Sequence, residues 1–298
     1  MATTVNKLLR VSALAAMGAG LSFVVFFSNC GGSSGTRPTG TGGTTGAAGS
    51  GTAGTQGSGG NTTTGTAGVT GAGGRFTCPS DSVLNCSSAL TLPDGHVTTF
   101  SPEEWSPTDG KYCNAHGLRG SIFSYSGGPT VDGAVISSNA QGVDAPNGNF
   151  RLTLTAGPGG YAGGGISFDR CINASSFNAL RFSAWIASGD LTGCNFKSQL
   201  QTFEQRPTTQ SPPGSCDPDA GSCYNFPTSL VTLGMTPQTF TIKFSDYTTG
   251  VTHANPVPGE LVGLQWQIES APPADPDGGV QLSCSVELRI DDISFVTQ

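Results

Sequence analysis

The sequence predicts an all-β protein, a sandwich or jelly roll in one domain, and three observations predict it. From about residue 75 onward, short runs alternate apolar and polar residues with period two. Gly, Pro, Asn and Asp interrupt those runs repeatedly, and no stretch carries an apolar stripe of helical spacing and length. Many short strands joined by turn chemistry fit a two-layer β domain, and residues 75–298 suffice to bury a core.

The chain before that domain reads differently. Lys7 and Arg10 form a short basic region, residues 11–27 are apolar or small and end in "FVVFF", and "FSNCGG" follows. A basic start, an apolar stretch and small residues near a cut describe a signal peptide over residues 1–29. The apolar stretch also approaches the ~18–20 residues that span a membrane, so an uncleaved anchor is the rival. The position of Cys30 resembles a bacterial lipoprotein signal, in which the cysteine after the cut becomes the lipidated N-terminus. Phe27 and Ser28 fit that pattern, whereas Asn29 stands where such signals usually carry Gly, Ala or Ser. Lipidation at Cys30 is preferred over an anchor or plain secretion, and each of the three puts the remainder outside the cytoplasm.

Residues 30–74 after that cysteine are almost wholly Gly, Thr, Ser and Ala. Nothing in them offsets the entropy of ordering, so a flexible tether is expected. Its "GGSSG" matches the G-x-S-x-G hydrolase pattern in letters only, since no strand precedes it and no helix follows.

The strand runs of the domain follow in order. "GSIFSYS" (120–126) is the first clear one, and "FRLTLTA" (150–156) alternates with Phe150, Leu152 and Leu154 inward. "GISF" (165–168) comes after the turn "GPGGYAGG", and "ALRFSAWIAS" (179–188) puts Leu180, Phe182, Ala184 and Ile186 on one face. "CNFKSQLQTF" (194–203), "QTFTIKF" (238–244), "LVGLQWQIES" (261–270) and "CSVELRIDDISFV" (284–296) complete the set.

Nine cysteines less Cys30 leave an even number for disulfides, as an exported chain allows. Zinc is disfavoured, because no C-x-x-C pair occurs and the only histidines are His96, His116 and His253. The short loop "CDPDAGSC" favours Cys216–Cys223, with Cys78–Cys86 the next choice and the rest open. Formal charge is −7, and loss of Lys7 and Arg10 with the signal takes it to −9. An acidic exported chain without a basic cluster is a poor partner for nucleic acid or for anionic lipid headgroups.

One strand invites a functional question. If Phe196 and Leu200 face the core, Lys197, Gln199 and Gln201 form a polar row on the other face. By the same alternation Arg181, Ser183 and Trp185 point away from the core, as do Gln265, Gln267 and Glu269. Amides and charged groups suit sugar hydroxyls, and an aromatic ring can stack on a pyranose, with Trp185 the stacking candidate and Tyr161 lining an edge. The plain alternative is an ordinary solvated sheet face. The binding reading requires those strands to be neighbours in one sheet.

"YAGGGISF", "NALRFSAWIAS", "CNFKSQLQTF", "QTFTIKFSDY", "VGLQWQIE" and a terminal "LRIDDISF" occur in that order over roughly residues 118–295. The succession resembles the galactose-binding-like jelly roll of carbohydrate-binding modules from extracellular bacterial enzymes, here on a chain like a surface lipoprotein. That resemblance implies a polysaccharide or glycan partner, bound across one sheet face or at the loop tips. It also implies a structural calcium (Ca2+) held by an aspartate of the last strand, here Asp291, with backbone carbonyls from the N-terminal part of the domain. The "DPDAG" and "DPDGG" stretches lack the later glutamate of a calcium loop and read as turns.

Catalysis is not marked. Glu103 and Glu104 sit in "SPEEWSP", which reads as a surface turn, and Glu204, Glu260, Glu269 and Glu287 are scattered. "GPGGYAGGG" precedes a strand rather than a helix and so is no dinucleotide loop. The expected function is therefore non-catalytic glycan binding from the bacterial cell surface, membrane-held by the lipid anchor, or in secreted form. The alternatives are a polysaccharide-degrading glycosidase or lyase hidden on the sandwich, and a structural or adhesive envelope protein.

Overall fold

A computed structural model of the chain describes residues 69–70, 76–78, 84–128, 136–144, 148–220, 223–249, 256–271 and 283–298. The expected signal peptide, Cys30, most of the tether, His253 and the "DPDGG" turn lie outside the described residues. Two residues of the expected tether do pair: β1 (Val69–Thr70) runs antiparallel to β2 (Phe76–Thr77).

Four short strands follow, β3 (Leu90–Thr91), β4 (His96–Thr98), β5 (Trp105–Ser106) and β6 (Lys111–Cys113). The main strands are β7 (Arg119–Gly127), β8 (Ser137–Asp144), β9 (Asn149–Ala156), β10 (Tyr161–Asn173) and β11 (Ala179–Asp190). They continue with β12 (Cys194–Thr202), β13 (Thr228–Val231), β14 (Gln238–Lys243), β15 (Leu261–Ser270) and β16 (Cys284–Val296). Helical structure among the described residues is confined to short 3-10 turns such as Cys86–Ser88.

The strands form an all-β sandwich of two sheets, as the alternation predicts. The first sheet has eight strands, in the order β13-β12-β15-β10-β7-β6-β5, with β3 alongside β10. The second has six, in the order β14-β11-β16-β9-β8, with β4 alongside β16. From β7 onward the chain passes repeatedly between the sheets, so consecutive long strands are often on opposite layers. Among the described residues every pairing between these strands is antiparallel except β3 with β10.

Period-two residues from both layers meet in one core. Leu180, Phe182 and Ala184 of β11 and Leu264, Trp266 and Ile268 of β15 are fully buried. Phe182 and Trp266 meet edge to face across the two layers, with ring centroids 5.5 Å apart. Each of the larger of these side chains contributes roughly 1.5–3 kcal/mol by leaving water, which is what holds the layers together.

The last strand carries a break in phase. Val286, Leu288 and Ile290 are buried, and then Ile293 and Phe295 are, so one extra residue separates the two series. The register shifts there against β11, and Asp292 takes the left-handed conformation with φ 51°. This is a β-bulge, and it re-aims the Asp291–Asp292 pair.

Four disulfides brace the domain. Cys216–Cys223 forms as expected. The expected Cys78–Cys86 bridge does not, because Cys78 joins Cys113 on β6 while Cys86 joins Cys171 on β10. Nearness in sequence is overruled by the sheet, which carries β6 and β10 to the two separate cysteines. Cys194–Cys284 ties β12 of the first sheet to β16 of the second.

Candidate functional site

The outer face of the first sheet can be read in tiers across its strands. Lys197, Gln267, Gly163 and Tyr125 are successive cross-strand partners, and so are Gln199, Gln265, Gly165 and Phe123. The glycines of β10 are required by close approach. A Cβ on Gly163 would lie 2.5 Å from the Tyr125 hydroxyl, and one on Gly165 would lie 2.1 Å from the Leu264 carbonyl. Without side chains there, the Tyr125 ring can lie over β10 and reach β15.

The glutamine tier grips itself. Gln201 Nε2 donates to Gln265 Oε1 at 2.6 Å, and Gln265 Nε2 donates to Gln199 Oε1 at 2.5 Å. Gln199 Nε2 donates to the Thr228 hydroxyl at 2.9 Å, which donates in turn to the Phe226 carbonyl at 2.8 Å. All donors point the same way along this chain, so each bond polarises the next. Gln199, Gln201 and Gln265 are 8%, 7% and 5% exposed. The expected row of amides offered to a ligand is therefore corrected at these three positions: they form a buried brace.

What the face presents lies beside that brace. Lys197 pairs with Glu269, both partly exposed. Burial pulls the Lys197 ammonium below its ordinary value. The Tyr125 hydroxyl donates to Gln267 Oε1 at 3.0 Å, and burial pushes its phenol far up, so it stays a neutral donor. Phe123 stacks on Tyr125 with centroids 6.1 Å apart, and Tyr161 lies 6.3 Å from Tyr125 at a tilt. Three partly exposed rings thus form a strip beside Gln267 and the Lys197–Glu269 pair. Further along the face Asp169 accepts Lys111 at 3.0 Å and lies 3.6 Å from Arg119.

Of the residues expected to gather, Tyr161, Lys197, Gln199, Gln201, Gln265 and Gln267 share this face. Trp185 and Arg181 do not. They point outward as the alternation requires, but β11 belongs to the second sheet, so the core separates them from the glutamines. Phe123 and Tyr125 were not singled out from sequence. The signal was present in "GSIFSYS", where both stand opposite in phase to Ile122, which packs against the core.

Asp291 lies at the bulge of β16, on the second sheet. It accepts the Asp292 N–H at 2.8 Å, and burial, with Asp292 and Glu104 nearby, pushes its carboxyl up to about 7. Glu104 is corrected from a surface turn to a buried position, 6% exposed. Its Oε1 meets His96 Nε2 at 2.5 Å, and its Oε2 accepts from Thr98 Oγ1 at 3.0 Å and from the Thr99 N–H at 2.7 Å. Burial pushes the Glu104 carboxyl up, but these donors outweigh it and hold it below its ordinary value. Calcium takes six to eight oxygen ligands. Among the described residues no three His, Cys, Asp or Glu side chains gather to hold a metal, and the oxygens of Glu104 already face donors. Side chains alone therefore do not supply a calcium shell at Asp291, and the backbone carbonyls that the resemblance also implies would have to complete it.

The fold has likenesses among solved structures. A family 11 carbohydrate-binding module from Clostridium thermocellum, in complex with a β-1,3-1,4-mixed-linked tetrasaccharide, matches at 14% identity and a TM-score of 0.38, covering 59% of this chain and 88% of that one. A family 30 carbohydrate-binding module of a cellulosomal cellulase from the same organism matches at 14% identity and a TM-score of 0.35, over 59% of this chain and 91% of that one. The glycoside hydrolase domain of Endo-D from Streptococcus pneumoniae matches at 12% identity and a TM-score of 0.25, over 60% of this chain and 24% of that one. No protein-family model and no curated protein sequence matches the chain.

Proposed function

We propose that the outer face of the first sheet binds a polysaccharide without cleaving it. The observation that carries this reading is the strip of Phe123, Tyr125 and Tyr161 beside Gln267 and the Lys197–Glu269 pair. A sugar ring offers one apolar C–H face and a rim of hydroxyls. Aromatic rings match the first, and donors and acceptors held in place match the second. The buried glutamine brace supports the reading indirectly, because it fixes the strands that carry those groups before a ligand arrives.

The four disulfides fit a chain that folds in an oxidising compartment outside the cytoplasm. Attachment through a lipidated Cys30 and the 30–74 tether would present the domain at the bacterial surface; secretion would release it. Affinity electrophoresis tests the binding. Mixed-linked β-glucan, xylan, galactomannan and polygalacturonate are cast in native gels, and one or more should retard the protein. Migration unchanged in every gel would refute the proposal, and new reducing ends in the gel would replace binding with hydrolysis.

A further inference from the structure

The second sheet has an outer face of its own, and one place on it is not simply solvated. Trp185 of β11 stands directly across from Arg289 of β16. Together with Asp144, Asn149, Ile186, Ala187 and Met235 they line a depression of about 340 Å³. That is the lower end of the roughly 300–1,000 Å³ that ligand clefts occupy. Trp185 is partly exposed and Met235 is 68% exposed, two large apolar groups together on a face otherwise built from polar side chains. The turn bearing Met235 is fixed in place, since the Ile186 N–H donates to the Gly234 carbonyl at 2.9 Å.

The polar side of the depression is fixed as well. Arg289 Nη1 donates to Asp144 Oδ2 at 3.0 Å and to Asn149 Oδ1 at 3.3 Å, while Nη2 pairs with Glu287 Oε1 at 2.7 Å. A guanidinium so held loses little freedom when something docks against it. Among the described residues, the other Asp144 carboxylate oxygen and the Asn149 amide nitrogen have no protein partner at this rim. An indole face beside a fixed donor, a carboxylate oxygen and an amide is again the chemistry of a sugar ring, with its apolar side down and its hydroxyls at the edge.

We infer that the Trp185 depression is a second glycan-binding site, so that one domain holds two polysaccharide segments on opposite faces of the sandwich. The inference takes its ligand class from the function proposed for the first face. It differs from it in place: the two sites stand on different sheets with the core between them, and neither shares a residue with the other. A domain with two such faces bridges polymer chains rather than merely holding one.

The protein carries its own reporter. Of its three tryptophans, Trp105 is 7% exposed and Trp266 is fully buried, so acrylamide quenching of emission reports chiefly on Trp185. The full chain is titrated with soluble mixed-linked β-glucan and with galactomannan while quenching is followed. Protection of the emission by at least one of them is expected. It should persist in Tyr125→Ala, and the calorimetric binding that remains in Tyr125→Ala should weaken about tenfold or more when Trp185→Ala is added and be retained when Trp185→Phe, which keeps a ring, is added instead. Quenching unaltered by a glycan that retards the protein overturns the second site and leaves the first standing. Protection without any Tyr125-dependent retardation does the reverse. Neither retardation nor protection removes both.

Discussion

Gln265 on β15 donates its amide to Gln199 on β12 at 2.5 Å, and both side chains lie under a tenth exposed on the outward face of their sheet. Outward positions of an antiparallel sheet are ordinarily wet. Here they are dry, and their polarity is consumed within the protein.

Removing the middle of that chain should destabilise the fold. Gln265→Ala leaves Gln201 Nε2 without its acceptor and Gln199 Oε1 with only the Tyr125 hydroxyl at 3.5 Å, and a buried group left so poorly matched costs on the order of 1–3 kcal/mol. Urea unfolding should show a loss of about 2–4 kcal/mol. A change under about 0.5 kcal/mol would mean that the amides are not closed off from water.

On the face itself, Tyr125 carries the ring at the centre of the strip. Tyr125→Ala should weaken retardation by a responsive polysaccharide about tenfold or more, roughly the 1.4 kcal/mol that separates decades of affinity. Tyr125→Phe keeps the ring and deletes only the bond to Gln267, so it should lose much less. Equal losses for the two variants would place the contribution in the hydroxyl rather than in stacking.

A disulfide that closes a longer loop should stabilise more, as the logarithm of the loop length. Cys194–Cys284 spans 90 residues and joins the two sheets, whereas Cys216–Cys223 spans 7. Chain entropy assigns about 4–5 kcal/mol to the first and about 2 kcal/mol to the second. Paired Cys→Ala variants compared by thermal unfolding should keep that order, and the reverse order would contradict it.

Stability should be greatest near about pH 4–5 and decline toward pH 8. His96 is raised above 6.5 by its bond to Glu104, so its contribution is complete below that value and lost as pH rises through the folded one. Asp291, ordinarily 3.8 and here about 7, likewise favours the folded state while protonated and disfavours it as pH rises through that window. Glu104 works in the opposite sense: held below 4.5, it contributes above that pH and loses its contribution as pH falls through its folded value. Asp291→Asn keeps an acceptor for the Asp292 N–H, and it should flatten the decline between about pH 4 and pH 7. Melting temperatures across this range provide the check, and a wild-type profile that climbs from pH 5 to pH 8 would contradict it.

The amino-acid pattern alone determined which side chains of each strand turn inward. Leu180, Phe182 and Ala184, and again Leu264, Trp266 and Ile268, are buried as their spacing requires, because a strand alternates its faces whatever it pairs with. The all-β class and the Cys216–Cys223 bridge were legible for the same reason: both depend on local pattern. Which strands share a sheet is a different kind of fact. Pairing partners lie far apart in the chain and are chosen by the packing of the whole core, so only the tertiary structure decided that Trp185 belongs to one layer and the glutamines to the other. It decided, too, that Cys86 reaches Cys171 rather than Cys78, and that Gln199, Gln201 and Gln265 satisfy one another. A polar residue at an outward position can be solvated, bound to a ligand or bonded to its neighbours, and only the atoms placed beside it distinguish the three.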